Sequence, residues 1–146
     1  MTLRAGHRRT FLRATLASLA LVVTSRRVPA ADSPHPNRAW YLEAKRMQEL
    51  AESWGDQSYG AVVVAGGTVV GYGPSRVVKD QDPNAHAERV AIREAQEAQI
   101  GRRLTGAVLY STSRPCLACE QAAAKAGILR MYHGEGLLDA GAPRLR

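Results

Sequence analysis

The chain has 146 residues and a formal net charge of +7, a length that suits one domain with its own core. Six of its 20 basic residues, and no acidic residue, lie in residues 1–30, which leaves 14 basic against 13 acidic side chains in the remainder. The basic excess therefore belongs to the N-terminal segment. The remainder lacks the electrostatic footprint of a nucleic-acid-binding domain, which argues against a polymeric RNA or DNA substrate.

The N-terminal segment, residues 1–30, has the pattern of an export signal. A twin arginine at residues 8–12 (RRTFL) precedes a mild apolar run at 14–23, which is shorter than the roughly 20 residues that span a bilayer. Small residues then predict cleavage after residue 30 and no stable membrane anchor. The pattern resembles the bacterial twin-arginine signal, which implies a periplasmic or secreted protein that meets the twin-arginine translocase. An ordinary secretory signal and a basic amphipathic helix are the alternatives.

Helices and strands alternate after a proline-containing linker at residues 31–37. Apolar periodicity and turn signals predict the elements in chain order: a helix at 39–54, strands at 59–65 and 68–72 joined by a Gly66-Gly67 hairpin, a helix at 85–99, a strand at 107–112, a helix at 116–127, a strand at 129–133 and an irregular tail at 134–146. This order predicts one α/β domain over residues 38–146. We expect a three-layer α/β/α sandwich with a mixed sheet whose later strands are parallel.

Two motifs begin the two later helices: DPNAHAE at residues 82–88 and RPCLAC at residues 114–119. Each follows a strand or the loop after it, so both helix N-termini should lie at the same edge of the sheet. Open α/β sheets bind their ligands at such an edge.

The motifs carry a candidate zinc site. Cys116 and Cys119 are neighbours on a first helical turn, where the helix dipole favours the thiolates that bind metal. Together with His86 they form an N/S/S ligand set that leaves a fourth position for water, the pattern of one catalytic zinc ion per chain. Glu88 is outside this set and is the candidate to move protons at a zinc-activated water.

The paired motifs HAE and PCLAC resemble those of the cytidine and deoxycytidylate deaminase superfamily. DPNAHAE, with AIR at residues 91–93, is similar to its guanine deaminase and tRNA adenosine deaminase branch, and the resemblance covers residues 38–141. It implies a zinc-dependent hydrolase that removes an amino group from a guanine-, cytosine- or adenine-type base or nucleoside and releases ammonia. It also implies a homodimer and a substrate contact from the backbone amide of Ala87. Ser75 and Arg114 are further candidate substrate contacts, standing where the family commonly has Asn and Glu.

Other interpretations remain at this point. An isolated Cys-x-x-Cys in an exported protein is also typical of a thiol-disulfide redox protein, and an inactive zinc-binding scaffold would carry the same ligands. Export favours a small free metabolite over tRNA as the substrate. The chain ends soon after its fourth predicted strand, where relatives often continue into a fifth strand and a helix. This early end predicts an open site or closure by a second subunit.

Overall fold

The computed structural model describes residues 35–99 and 103–145, so the predicted export signal lies outside the described residues. The elements are, in chain order, α1 Arg38–Ser53, β1 Gly60–Ala65, β2 Thr68–Pro74, α2 Ala87–Ala98, β3 Val108–Ser111, α3 Leu117–Ala126, β4 Arg130–His133 and β5 Leu138–Gly141. Within the part of the chain that the structure describes, no helix has the length and apolar character needed to cross a membrane.

The five strands form one mixed sheet in the order β2-β1-β3-β4-β5. β1 is antiparallel to both β2 and β3, and β4 is parallel to β3, so β2, β3 and β4 all run in the same direction. Their carboxyl ends, at Pro74, Ser111 and His133, therefore share one edge of the sheet, which we call the carboxyl edge. The predicted mixed sheet with parallel later strands is confirmed.

Helices cover both faces of the sheet. Val63, Leu109 and Met131 pack with α2 and α3 on one face, whereas Val62 and Tyr110 pack with α1 on the other. Alternating side chains of β1 thus enter two separate cores, which explains why its sequence is apolar without alternation. The predicted three-layer α/β/α sandwich is confirmed.

A close contact between α2 and β2 fixes the position of α2. A Cβ atom added to Gly73 would lie 2.0 Å from the carbonyl oxygen of Ala87, and one added to Gly71 would lie 2.2 Å from that of Ala91. Only glycine allows a helix backbone to approach a strand this closely. The first turn of α2 is consequently pressed against the carboxyl end of β2.

The prediction that residues 134–146 form an irregular tail was wrong, because β5 pairs with β4 in an antiparallel hairpin. The turn is closed by a hydrogen bond from Leu137 N–H to the Gly134 carbonyl, and Leu137 has a left-handed backbone with φ of 50°. Arg130 and Asp139 form an ion pair across the hairpin at 2.7 Å. These contacts supply the fifth strand that the sequence pattern did not indicate.

Candidate metal centre

Two of the candidate ligands are helix N-caps rather than helical residues. His86 immediately precedes α2 and Cys116 immediately precedes α3, both with extended backbones. The carbonyl of His86 accepts the hydrogen bond of Val90 N–H, and that of Cys116 accepts the bond of Glu120 N–H. Among the described residues neither side chain makes a capping hydrogen bond. Both side chains therefore remain available to a metal ion in front of the helix ends.

The three candidate ligand atoms converge. His86 Nδ1 lies 3.6 Å from each of the sulfur atoms of Cys116 and Cys119, and the two sulfur atoms lie 3.4 Å apart. Tetrahedral zinc, with Zn–S about 2.3 Å and Zn–N about 2.05 Å, places nitrogen and sulfur about 3.6 Å apart and two sulfurs about 3.8 Å apart. The donor set and its spacing fit zinc. Both cysteines are free, as this site requires.

The chemistry of the buried groups also favours a cation. Cys119 and Glu88 are 1% and 6% exposed, and the Cys119 thiol donates to Glu88 Oε2 over 3.5 Å. Burial raises the pKa of Glu88; burial, followed by the neighbouring Glu88 charge, raises the pKa of Cys119. Two buried acids in contact resist ionisation unless a positive charge lies beside them. A divalent ion at this position would supply that charge.

The cluster is open on one side. Cys116 is exposed and His86 is partly buried, whereas Cys119 and Glu88 are buried. The cluster therefore joins an exposed ligand residue, Cys116, to a buried proton-transfer candidate, Glu88.

The three predicted substrate contacts have different surroundings. Ala87 is the first residue of α2, where a backbone N–H has no partner within the helix. Arg114 is exposed and lines a small cavity of about 180 Å³ with Arg144. Ser75 is fully buried, and its hydroxyl donates to Asp56 rather than to the metal cluster.

Arg114 also acts on a histidine at the carboxyl edge. Burial, and then the positive charge of Arg114, lowers the pKa of His133, which ends β4. The charge of Arg114 thus disfavours protonation of His133.

Sequence reasoning missed Asp56. It lies in the loop between α1 and β1, and its carboxylate accepts hydrogen bonds from the residues that follow β2. An aspartate in a polar loop is common in any sequence, and only the fold brings it to the segment that leads into His86.

An α/β/α sandwich that carries an N/S/S cluster and a buried carboxylate at the carboxyl edge of its sheet is a domain with the three-ligand set of a catalytic zinc site. The model of the cytidine and deoxycytidylate deaminase zinc-binding region matches residues 35–135. The chain therefore belongs to this family of zinc-dependent deaminases, hydrolases that act on C–N bonds.

Its relatives include enzymes with two kinds of substrate. A tRNA-specific adenosine deaminase of Buchnera aphidicola is 33% identical over 100 residues, which cover 68% of this chain and 66% of the relative. A solved tRNA:A34 deaminase is 36% identical with a TM-score of 0.65, covering 67% of this chain and 71% of that structure. The Bacillus subtilis guanine deaminase structure is 27% identical with a TM-score of 0.64, covering 68% and 64%. The chain thus spans about two thirds of the length of these relatives.

Proposed function

We propose that this protein is a hydrolytic deaminase that removes the exocyclic amino group of a free nucleobase or nucleoside. The observation that carries the proposal is the cluster of His86, Cys116 and Cys119, whose ligand atoms all lie within 4.8 Å of one another. Glu88 lies beside the cluster and touches Cys119. A histidine nitrogen equally close to both sulfur atoms favours a metal site over a redox pair.

The residues of the site have distinct tasks in this proposal. His86, Cys116 and Cys119 would hold the zinc ion, which would supply the Lewis acidity that activates water at neutral pH. Glu88 accepts a proton from the attacking water and delivers protons to the ring nitrogen and the leaving amine. The ring carbon gains oxygen as its C–N bond breaks, so water and the amine give a carbonyl and ammonia. The Ala87 amide donates to the substrate ring.

A small substrate is favoured over tRNA by charge. Residues 31–146 carry 14 basic and 13 acidic side chains, so the domain lacks the basic excess that binding an RNA backbone exploits. Solved structures named for guanine and for tRNA deamination are both among those similar to this chain. The guanine, cytosine and adenine classes therefore all belong in the test.

The test is ammonia release by zinc-loaded protein from guanine, adenine, cytosine, their nucleosides and a tRNA anticodon stem-loop. We expect release from a free base or nucleoside, and none from the same panel with the Glu88→Gln variant. Release from the stem-loop alone would refute the free-substrate proposal. A metal-free protein with a Cys116–Cys119 disulfide and thiol oxidoreductase activity would establish the redox alternative. A zinc-loaded protein without activity on the whole panel would establish the inactive zinc-binding scaffold.

We also propose that the protein is exported through the twin-arginine translocase to the periplasm or the medium. The support is the RRTFL sequence at residues 8–12, ahead of an apolar run. Changing Arg8 and Arg9 to lysine should retain the precursor in the cytoplasm. Normal processing of that double variant would show that another export route is used.

We further propose a homodimer that forms through α2 and α3. The groove between them combines Ile92, Ala122 and Ala126 with polar and charged side chains, among them Arg89, Arg93 and Lys125, and Leu117 at the start of α3 is exposed. Light scattering at micromolar concentration should give the mass of two chains, with an interface of at least about 1,000 Å². A fully active monomer would refute this proposal.

A further inference from the structure

The segment between β2 and the metal ligand His86 forms a closed loop at the carboxyl edge. We call residues 75–85 the rim loop. Its two ends are joined by a hydrogen bond from Arg76 N–H to the Ala85 carbonyl at 3.0 Å, and Ser75 N–H donates to the Tyr59 carbonyl at 3.0 Å. The rim loop therefore leaves the sheet after β2 and returns to it directly in front of His86.

The carboxylate of Asp56 holds the rim loop at two separate places. Oδ1 accepts from the Ser75 hydroxyl at 2.9 Å, at the base of the loop. Oδ2 accepts from Val78 N–H at 2.9 Å and from Lys79 N–H at 2.8 Å, further along the loop. Gln57 N–H also donates to Oδ1, at 2.7 Å. Asp56 is the acceptor in all four of these hydrogen bonds, so the four acceptor sites of an ionised carboxylate are all used.

Other contacts join the same two segments. The ammonium group of Lys79 lies 3.5 Å from the ring centroid of Trp54, and Trp54 caps the C-terminus of α1. Burial by itself would raise the pKa of Asp56, but hydrogen bonds from Lys79, Gln57, Ser75 and Val78 together hold it below its usual value. Asp56 therefore remains charged, as a carboxylate with four donors requires.

We propose that Asp56 is a positioning residue for substrate binding, which acts by fixing the rim loop beside His86. The inference rests on the proposed deaminase function. His86 itself is held independently, because the Arg76–Ala85 backbone bond and the packing of α2 on Gly73 do not involve Asp56. Loss of the Asp56 carboxylate should thus loosen the rim loop beside His86 while the metal ligands stay in place.

The decisive variant is Asp56→Asn, which replaces one acceptor oxygen with an NH₂ group that faces N–H or O–H donors. Charge-assisted hydrogen bonds of this kind stabilise the rim loop against local opening. We therefore expect trypsin to cleave the zinc-loaded variant after Lys79 at least about 10-fold faster than the zinc-loaded wild type. For the base or nucleoside that wild type deaminates, KM should rise about 5-fold or more with kcat changed less than about 2-fold. The zinc content should remain one per chain.

Three further variants separate positioning from general stability. Asp56→Glu keeps the carboxylate and should recover part of the loss in both assays. Ser75→Ala removes one of the bonds to the loop and should give a smaller effect. Asp139→Asn makes the same charge change on β5, the edge strand opposite to β2. It should leave KM and cleavage after Lys79 unchanged.

Each result decides the proposal. Unchanged cleavage of Asp56→Asn would show that the carboxylate does not hold the rim loop. Faster cleavage with an unchanged KM would overturn the role in substrate binding, and loss of zinc would show that Asp56 supports the metal ligands instead. Absence of ammonia release from wild-type protein would refute the proposed function, while the proteolysis would still establish whether Asp56 holds the loop.

Discussion

The position of α2, and with it the metal site, depends on Gly73. In Gly73→Ala the new Cβ would lie 2.0 Å from the Ala87 carbonyl oxygen and 2.7 Å from Ala91 N, whereas ordinary contact begins at 3.4 Å. The first turn of α2 must therefore retreat by about 1.4 Å, the difference between 2.0 and 3.4 Å. Metal sites tolerate errors of only about 0.2 Å in ligand distance, so His86 would no longer meet the two sulfur atoms.

Gly60 provides the matched control. A Cβ on Gly60 would lie 2.1 Å from the carbonyl oxygen of Ala44, an equally severe clash, but with α1 on the opposite face of the sheet. Both variants should be destabilised by about 1–3 kcal/mol or more, the usual cost of overpacking. Only Gly73→Ala should lose zinc affinity and, through a misplaced site, at least about 100-fold in activity. Gly136→Ala, with its nearest neighbour at 4.0 Å, should resemble wild type.

The assays are thermal denaturation, zinc content after dialysis against a weak chelator, and ammonia release. The reasoning fails if Gly73→Ala and Gly60→Ala retain zinc equally well at equal loss of stability. That result would mean that α2 can move without carrying His86 away from the cysteines.

Three other perturbations test the site and the hairpin. Cys119→Ala should lose zinc and activity together, by elemental analysis and ammonia release, because it removes a buried ligand; retained zinc would refute its assignment. Glu88→Gln should keep zinc but lose at least about 100-fold in rate, and a rate near wild type would exclude it as the proton carrier. The hydrogen bond from Arg130 holds the pKa of Asp139 below its usual value. The pair therefore stabilises the folded state at pH values above the unfolded-state pKa of about 3.9, and this stabilisation is lost as the pH falls below the folded-state pKa. Asp139→Asn should therefore lower Tm at pH 7, with a difference that shrinks below about pH 4; a pH-independent difference would contradict this account.

The sequence predicted those features that depend on local patterns. The four strands and three helices follow from apolar periodicity, and the two motifs follow from residues that begin helices. β5 was missed because Leu138–Gly141 has one large apolar residue, and its pairing depends on β4 and on the Arg130–Asp139 ion pair. The partner of the Ser75 hydroxyl was missed for the same reason, since Asp56 meets it across 19 residues.

The same two positions serve helix initiation and metal binding, and the two tasks conflict. A Ser, Thr, Asp or Asn at an N-cap stabilises a helix by about 1 kcal/mol. The N-caps of α2 and α3 are instead His86 and Cys116, whose side chains make no capping bond within the described residues. Asn37, which caps α1 away from the cluster, does accept such a bond from Ala39 N–H. The N-termini of α2 and α3 are therefore less stable than the N-terminus of α1, whose N-cap is not a metal ligand. Because metal binds only the folded arrangement, zinc stabilises the two N-termini at the metal site by an amount that grows with the logarithm of the free zinc concentration above the dissociation constant, and metal removal should destabilise α2 and α3 before α1.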